Sequence, residues 1–381
     1  MDVTDLGTLG GEQSIAFAVN ESDQVVGLSW TTNGSSHSFL YSNGEMIDLY
    51  PLNSQDLITA GPTSINNLGQ VASGAISSDG VYYPVVYDSR TGELATQGSL
   101  GGVTSNGFSG VATAINNFGQ AVGYSYLDGV NRHAFIYQKG TLRDLGCLQG
   151  DDGPCTTYAF GVNDQGQVVG SSGRAFLYSN GVMTDISPFG SLASYARGIN
   201  NQGQVVGEYL IADHSSFHAF VYTGGTFTDI GSADSPETVA YDINDRGQVV
   251  GATWVSRGDS CRDCNEYEPH AFVYENGVMT ELNSLLPPNS EWKLLQAFAI
   301  NNKGRIVGYG LIHGQFHAFM LSLPRFQRAN DMAERSNDGR AHSSSTPDLD
   351  PARLPDRKRI ETLLGKQFIL EMRGDSRIPL D

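Results

Sequence analysis

From residue 2 to about residue 322 the apolar positions fall in short runs, each closed off by glycine, asparagine or aspartate. Runs of this length, bounded by turn residues, predict strands. They recur in a fixed order. One is Ile/Val-Asn-x-x-Gly-Gln-Val-Val-Gly, whose asparagine falls at 20, 66, 116, 163, 200, 244 and 301. A second, His-Ala-Phe-x-Tyr, begins 16–18 residues later in five copies, 11 later in the fourth and 26 later in the sixth. Turns such as Asn43-Gly44, Asn180-Gly181 and Asn276-Gly277 follow, as expected of type I′ hairpins, where both central residues need positive φ. A last run reads like Met-Thr-Asp-Ile.

Each repeat therefore predicts four antiparallel strands: A ends in Ile/Val-Asn, B is Gln-Val-Val-Gly, C is His-Ala-Phe-x-Tyr and D is Thr-Asp-Leu-Gly. Four such strands in about 45 residues describe a propeller blade. Seven A-B-C units are present but only six are followed by a D strand. The seventh stops at Phe319-Met320-Leu321, and the missing strand stands at the other end of the chain, as Asp2-Val3-Thr4-Asp5-Leu6-Gly7. The expectation is an all-β, seven-bladed propeller over residues 1–324, closed by its own N-terminus. Closure removes sheet edges that would otherwise pair with other chains.

The pattern resembles the HAF-repeat proteins, bacterial sequences usually described as extracellular repeat proteins. The likeness rests on Thr4-Asp5-Leu6-Gly7-Thr8-Leu9-Gly10-Gly11, Ile115-Asn116-Asn117-Phe118-Gly119-Gln120 and His133-Ala134-Phe135, and it covers residues 2 to about 322. It implies a propeller and export from the cell. It supplies no settled molecular activity.

Beyond the repeats the composition changes. Residues 325–355 are polar and read as a disordered linker. Residues 356–381 form a tail in which Ile360, Leu363, Leu364 and Phe368 fall near helical spacing, a short amphipathic helix that could dock a partner or simply fray. Arg373-Gly374-Asp375 matches an adhesion tripeptide by a three-residue coincidence.

Charge narrows the partners. The chain carries 23 basic and 41 acidic side chains, net −18. Eleven of the basic and ten of the acidic ones lie after residue 324, which leaves 12 and 31 in the repeats. A body this acidic argues against nucleic acid and anionic membranes. No apolar run approaches the ~18 residues of a membrane span. The opening Met-Asp-Val-Thr-Asp is already repeat strand, so a leader, if any, is missing from this chain.

Candidate chemistry lies where the repeats vary. The A–B and C–D turns are short and alike. The B–C and D–A loops are long, unlike one another and on the same side of the ring, a recognition platform. Trp30, Tyr126 and Trp254 end strand B on that side and could stack on a sugar, anchor a protein or pack between blades. Strand A departs from its small consensus at Tyr195, Arg197, Tyr241 and Asp242. An Arg197–Asp242 pair beside two tyrosines could bind a polar ligand or fill the channel as a buried ion pair. His214, a non-repeat histidine in the fifth B–C loop, could act as a general base near Tyr195 or be merely solvated.

The recurring His37, His133, His218, His270 and His317 are spread round the ring by symmetry and predict hydrogen bonds inside each blade. All four cysteines lie in loops. Two local disulfides, Cys147–Cys155 and Cys261–Cys264, suit an oxidising compartment. One four-cysteine zinc site would need loops three blades apart to meet, and free thiols would suit the cytosol. No metal or cofactor is expected.

Three functions compete. The first is a non-catalytic recognition module, monomeric and secreted or periplasmic, that binds a glycan or protein through the variable loops. The second is a polysaccharide lyase or hydrolase using Tyr195, Arg197, His214 and Asp242. The third is a cytosolic scaffold. No phosphate loop, nucleophile elbow or zinc-protease motif appears in the sequence.

Overall fold

The computed structural model describes residues 2–49, 58–77, 80–148, 155–188, 191, 193–211, 216–231, 235–256 and 267–323. The linker and tail expected after residue 324 lie outside them, as do His214, Cys261 and Cys264. The protein is a seven-bladed β-propeller of four-stranded antiparallel sheets. The one helical element among the described residues is a single 3-10 turn, Leu282–Leu285.

The first blade shows the pattern, with A at Gly10–Val19, B at Val25–Thr31, C at Ser36–Ser42 and D at Glu45–Asp48. The seventh takes A, B and C from Lys293–Ile300, Arg305–Ile312 and Gln315–Ser322. Its outer strand is Val3–Asp5, in register Val3↔Leu321, Thr4↔Met320 and Asp5↔Phe319. The N-terminus closes the ring. Leu6, 4% exposed, continues that closure into the core shared by the first and seventh blades.

Strand A carries a β-bulge in every blade, for instance at Ala16/Ala18, Ala112/Ala114 and Ala196/Gly198. The bulge drives an A-strand carbonyl against strand B, which explains the glycine of Gln-Val-Val-Gly. A Cβ on Gly27, Gly170, Gly207 or Gly251 would sit 1.8–2.0 Å from that oxygen. On Gly27, Gly170 and Gly251 it would also strike the ring of the C-strand phenylalanine. The two motifs are thus one packing unit, and the phenylalanines at 39, 135, 176, 220, 272 and 319 are fully buried. The second blade supports the link by breaking both halves together: Ser73 stands for the glycine and its register partner Val85 for the phenylalanine.

The recurring asparagines bond both within their own turns and across to the next blade. Each buried side chain accepts hydrogen bonds from its own turn; Asn116 Oδ1, for example, takes the N–H of Phe118 and Gln120. Its Nδ2 then donates to the backbone carbonyl of the next blade's asparagine. The chain of bonds runs 20→66→116→163→200→244→301→20 at 2.9–3.1 Å. A second belt uses the following residue, whose N–H donates to the side chain of its counterpart: Glu21, Asn67, Asn117, Asp164, Asn201, Asp245, Asn302 and back to Glu21, at 2.7–3.0 Å. Two closed rings of seven bonds tie the blades together at the A–B end.

At the closing seam two departures from the repeat meet. Asp23 replaces the turn glycine, keeping its left-handed φ of 60°, and Arg305 replaces the glutamine of the seventh blade. The Arg305 guanidinium Nε donates to Asp23 at 3.4 Å.

Candidate functional site

The bulged residue of strand A is the innermost of each blade. In ring order these are Phe17, Thr63, Thr113, Phe160, Arg197, Tyr241 and Phe298. Five are bulky, and neighbours touch: Arg197 lies 5.0 Å over Phe160, Tyr241 is 5.1 Å from Phe298, and Phe298 is 5.7 Å from Phe17. The two threonines turn aside and donate to the next blade's backbone, at Ala112 and Ala159.

Arg197 is not paired with Asp242, as the sequence suggested. Its partner is Glu208, which sits on strand B of the same blade in the same register pair as Tyr195. The guanidinium Nε meets both carboxylate oxygens at 3.0 and 3.1 Å, and the two side chains are 8% and 4% exposed. Burial pulls the guanidinium down, but the charge and hydrogen bonds of Glu208 outweigh it and hold Arg197 above its ordinary value. Asp242 instead accepts the N–H of Ile243 and, across the blade boundary, of Ile300 at 2.8 and 2.9 Å. Burial pushes its carboxyl above the usual carboxylate range, against those bonds. The error has a physical source. The bulge turns Arg197 back along its own sheet, and Asp242 lies one residue past the bulge of its blade, against the backbone of the next. Glu208 was visible as a departure from Leu28, Tyr124, Ser171, Ala252 and Tyr309 at the same position.

Of the strand-B aromatics, Trp254 is not a surface residue. It is 6% exposed and packed with Val239 and Ala252. Trp30 is half-buried against the cluster of Phe17, Leu311 and Phe316 at the closing seam. Tyr195 lies 6.2 Å from Phe217.

Tyr126 belongs to a row of rings that the sequence did not reveal as a unit. Tyr82 stacks on Phe108 at 4.7 Å, and Phe108 meets Tyr126 edge-on at 6.0 Å. Arg132 lies between Tyr126 and Tyr158, 5.3 and 5.0 Å from their centroids. Tyr158 stacks on Phe160, which carries the row to the innermost ring. Arg132 Nε is buried and has no hydrogen-bond partner among the described residues. The row crosses blades two, three and four at the end of the ring where strand B passes to strand C. The missed signal is the residue just before the strand-C histidine position, which is Ser36, Tyr82, Arg132, Phe217, Pro269 and Phe316 in six blades, with only phenylalanine recurring.

Each repeating histidine bonds a carboxylate on the outer strand of its own blade: His37–Asp48, His133–Asp144, His218–Asp229, His270–Glu281 and, through closure, His317–Asp5. His270 also meets Glu268 at 3.0 Å, and Lys293 reaches the same oxygen. Burial raises Glu268, yet its bonds from His270 and Lys293 prevail and hold it at about 2; the two carboxylates in turn outweigh burial and raise His270. Cys147 and Cys155 form a disulfide. The second expected bridge lies outside the described residues.

No protein-family model and no curated protein matches the chain. Among solved structures it is similar to puromycin hydrolase, with 12% identity, a TM-score of 0.51, and coverage of 83% of this chain and 53% of that one. It is also similar to the β-propeller domain of the Trilobed protease from Pyrococcus furiosus (8%, TM-score 0.45, 81% and 95% covered). A third is the Aleuria aurantia lectin in complex with Fucα1-6GlcNAc (14%, TM-score 0.36, 82% and 93% covered). The chain spans about half the length of the hydrolase, and at these identities the likeness shows the fold alone. No helix among the described residues is long and apolar enough to cross a membrane.

Proposed function

We propose that this propeller is a non-catalytic recognition module that binds a glycan on the variable-loop end of the ring. The observation that carries the reading is the row Tyr82–Phe108–Tyr126–Arg132–Tyr158. Successive rings suit stacking on sugar faces. The Arg132 guanidinium, whose Nε has no hydrogen-bond partner among the described residues, carries donors that a sugar hydroxyl or carboxylate would satisfy. The lyase reading needs Arg197 and Asp242 for chemistry, but Arg197 is engaged by Glu208 and Asp242 by the backbone of the next blade. The disulfide and the HAF-repeat resemblance support a secreted or cell-surface protein.

The test is affinity electrophoresis of the full chain through native gels, each cast with one neutral or acidic polysaccharide. Retardation in at least one gel is expected, weakened about tenfold or more by Tyr126→Ala and Arg132→Met. Free migration in every gel would overturn the glycan reading in favour of a protein ligand. A cleared zone in the polysaccharide would return the enzyme to consideration.

A further inference from the structure

The third blade departs from its siblings beside its histidine. In the seventh blade the His317–Asp5 pair is followed by Leu6, Gly7 and Thr8, and the chain returns through Glu12 to Ser14. In the third, His133–Asp144 is followed by Leu145, Gly146 and Cys147, and the chain returns through Cys155 to Thr157. The clip that fixes this corner is the same in both. Ala318 N–H donates to Ser14 Oγ, which donates to Gly7 O. Ala134 N–H donates to Thr157 Oγ1, which donates to Gly146 O. Two cysteines therefore replace a threonine and a glutamate on either side of a histidine.

The histidine is presented as a ligand. Asp144 receives His133 Nδ1 at 2.8 and 2.9 Å, and a carboxylate can only accept, so Nδ1 carries the proton. The lone pair is on Nε2, which faces Cys147 Sγ at 3.5 Å. Metal-binding histidines are oriented by carboxylates in this way. Bonds of about 2.3 Å to sulfur and about 2.0 Å to nitrogen at a tetrahedral angle place the two donors about 3.5 Å apart, the separation found here. All three donor atoms lie within 4.8 Å of one another.

We propose that, once the Cys147–Cys155 bridge is reduced, His133, Cys147 and Cys155 bind one soft divalent transition ion such as zinc, with the remaining position left to water. Reduction by a phosphine yields two thiols and one phosphine oxide, the oxygen coming from water. Binding the ion then releases two protons as both thiols become thiolates. The corner needs no disulfide to stay in place. Thr157 N–H donates to Arg132 O at 2.9 Å and Gly146 N–H to the Asp144 carboxylate Oδ1 at 2.8 Å, so bonds flanking both cysteines hold the corner beside His133. The site exchanges a covalent staple for a metal one as the surroundings change from oxidising to reducing.

The test uses the full chain with Cys261→Ser and Cys264→Ser, so that only this pair can respond. Cobalt(II) is added to the oxidised protein and, without air, to the phosphine-reduced protein. The reduced form is expected to take up one equivalent with thiolate-to-cobalt charge-transfer absorption and tetrahedral ligand-field bands. The oxidised form is expected to take up none. His133→Gln should weaken uptake at least tenfold, and Asp144→Asn by about 10–100-fold through the orientation of His133. No uptake by the reduced chain, equal uptake by the oxidised chain, or unchanged affinity in His133→Gln would each overturn the proposal. The comparison of redox states needs no variant in the site, so a folding defect in a site variant leaves it decisive.

Discussion

The two ends of the ring follow opposite rules. At the A–B end all seven blades present the same asparagine, buried and bonded to the same atom of the next blade, and a second belt repeats the arrangement one residue on. At the other end the blades diverge: the residue before the strand-C histidine position is serine, tyrosine, arginine, phenylalanine or proline. The belts explain why variation is tolerated. Each blade is registered against its neighbours at one end by directional bonds, and in the middle glycine–phenylalanine packing locks its own strands B and C. The far end is left to carry specificity. Substitutions at the constant end should cost stability, and those at the variable end should change binding.

The largest effect should come from breaking the ring itself. Deleting residues 1–8 removes the outer strand of the seventh blade, the buried Leu6 and the partner of His317. It also bares the edge of Gln315–Ser322. We expect the melting temperature to fall by about 10 °C or more, since roughly 2–4 °C accompanies each kcal/mol in a domain of this size. An unchanged melting temperature would show that closure is incidental.

The plug comes next. Arg197→Met strands Glu208 in a nearly dry site and should cost about 3–5 kcal/mol by denaturant unfolding. Replacing both, with Glu208→Leu, should recover most of the loss, because apolar residues of similar volume need no solvation. A double variant as unstable as the single one would mean that the ion pair determines the local fold.

Breaking one link of the belt should cost somewhat less. Asn244→Ala leaves the N–H groups of Arg246 and Gln248 without their side-chain acceptor and removes one of the two donors to the Asn301 carbonyl, which keeps the Gly304 N–H. About 3 kcal/mol is expected. A loss under about 0.5 kcal/mol would mean that water replaces the side chain and the belt is decorative.

The cluster on the sixth blade makes the comparison depend on pH. Glu268 has a folded pKa depressed to about 2, so its contribution is complete above about pH 4.5 and is lost as pH falls toward 2. His270 is raised, so its contribution is complete below about pH 6.5 and is lost as pH rises through its folded value. The difference in melting temperature between the protein and Glu268→Gln should peak between about pH 4.5 and 6.5. A flat difference would show that neither charge matters.

How much of this could be read in advance follows the same division. The four strands, the type I′ turns at Asn43-Gly44, Asn180-Gly181 and Asn276-Gly277, and closure by Val3–Asp5 are properties of a single repeat and of a count, and the chain displays both. The belts are not legible in a repeat, because a side chain's bond to the next blade depends on the rotation between blades, which no repeat contains. Arg197 was assigned the wrong partner for a related reason. Arg197 and Asp242 both depart from the small strand-A consensus, which suggested a pair, whereas the bulge turns Arg197 toward Glu208 on strand B of its own blade. Trp254, near the variable-side end of strand B, left both ligand contact and packing between blades open; its packing against Val239 and Ala252 decides for burial. The aromatic row was hidden because its members come from three strand types, and only their register brings them together.

The smallest expected effect tests whether the closing blade differs in kind from the others. Asp48, Asp144 and Asp5 each hold the histidine of their blade at 2.8 Å, and each carboxylate is 36–37% exposed. Asp5 alone reaches a histidine 312 residues away. If the pair is a local fitting of one blade, Asp48→Asn, Asp144→Asn and Asp5→Asn should each cost about 0.5 kcal/mol, as exposed pairs do. A larger loss in Asp5→Asn alone would mean that the ion pair helps to hold the ring shut. Equal losses in all three would assign closure to the strand ladder and to Leu6, the elements that the seventh blade shares with no local sequence neighbour.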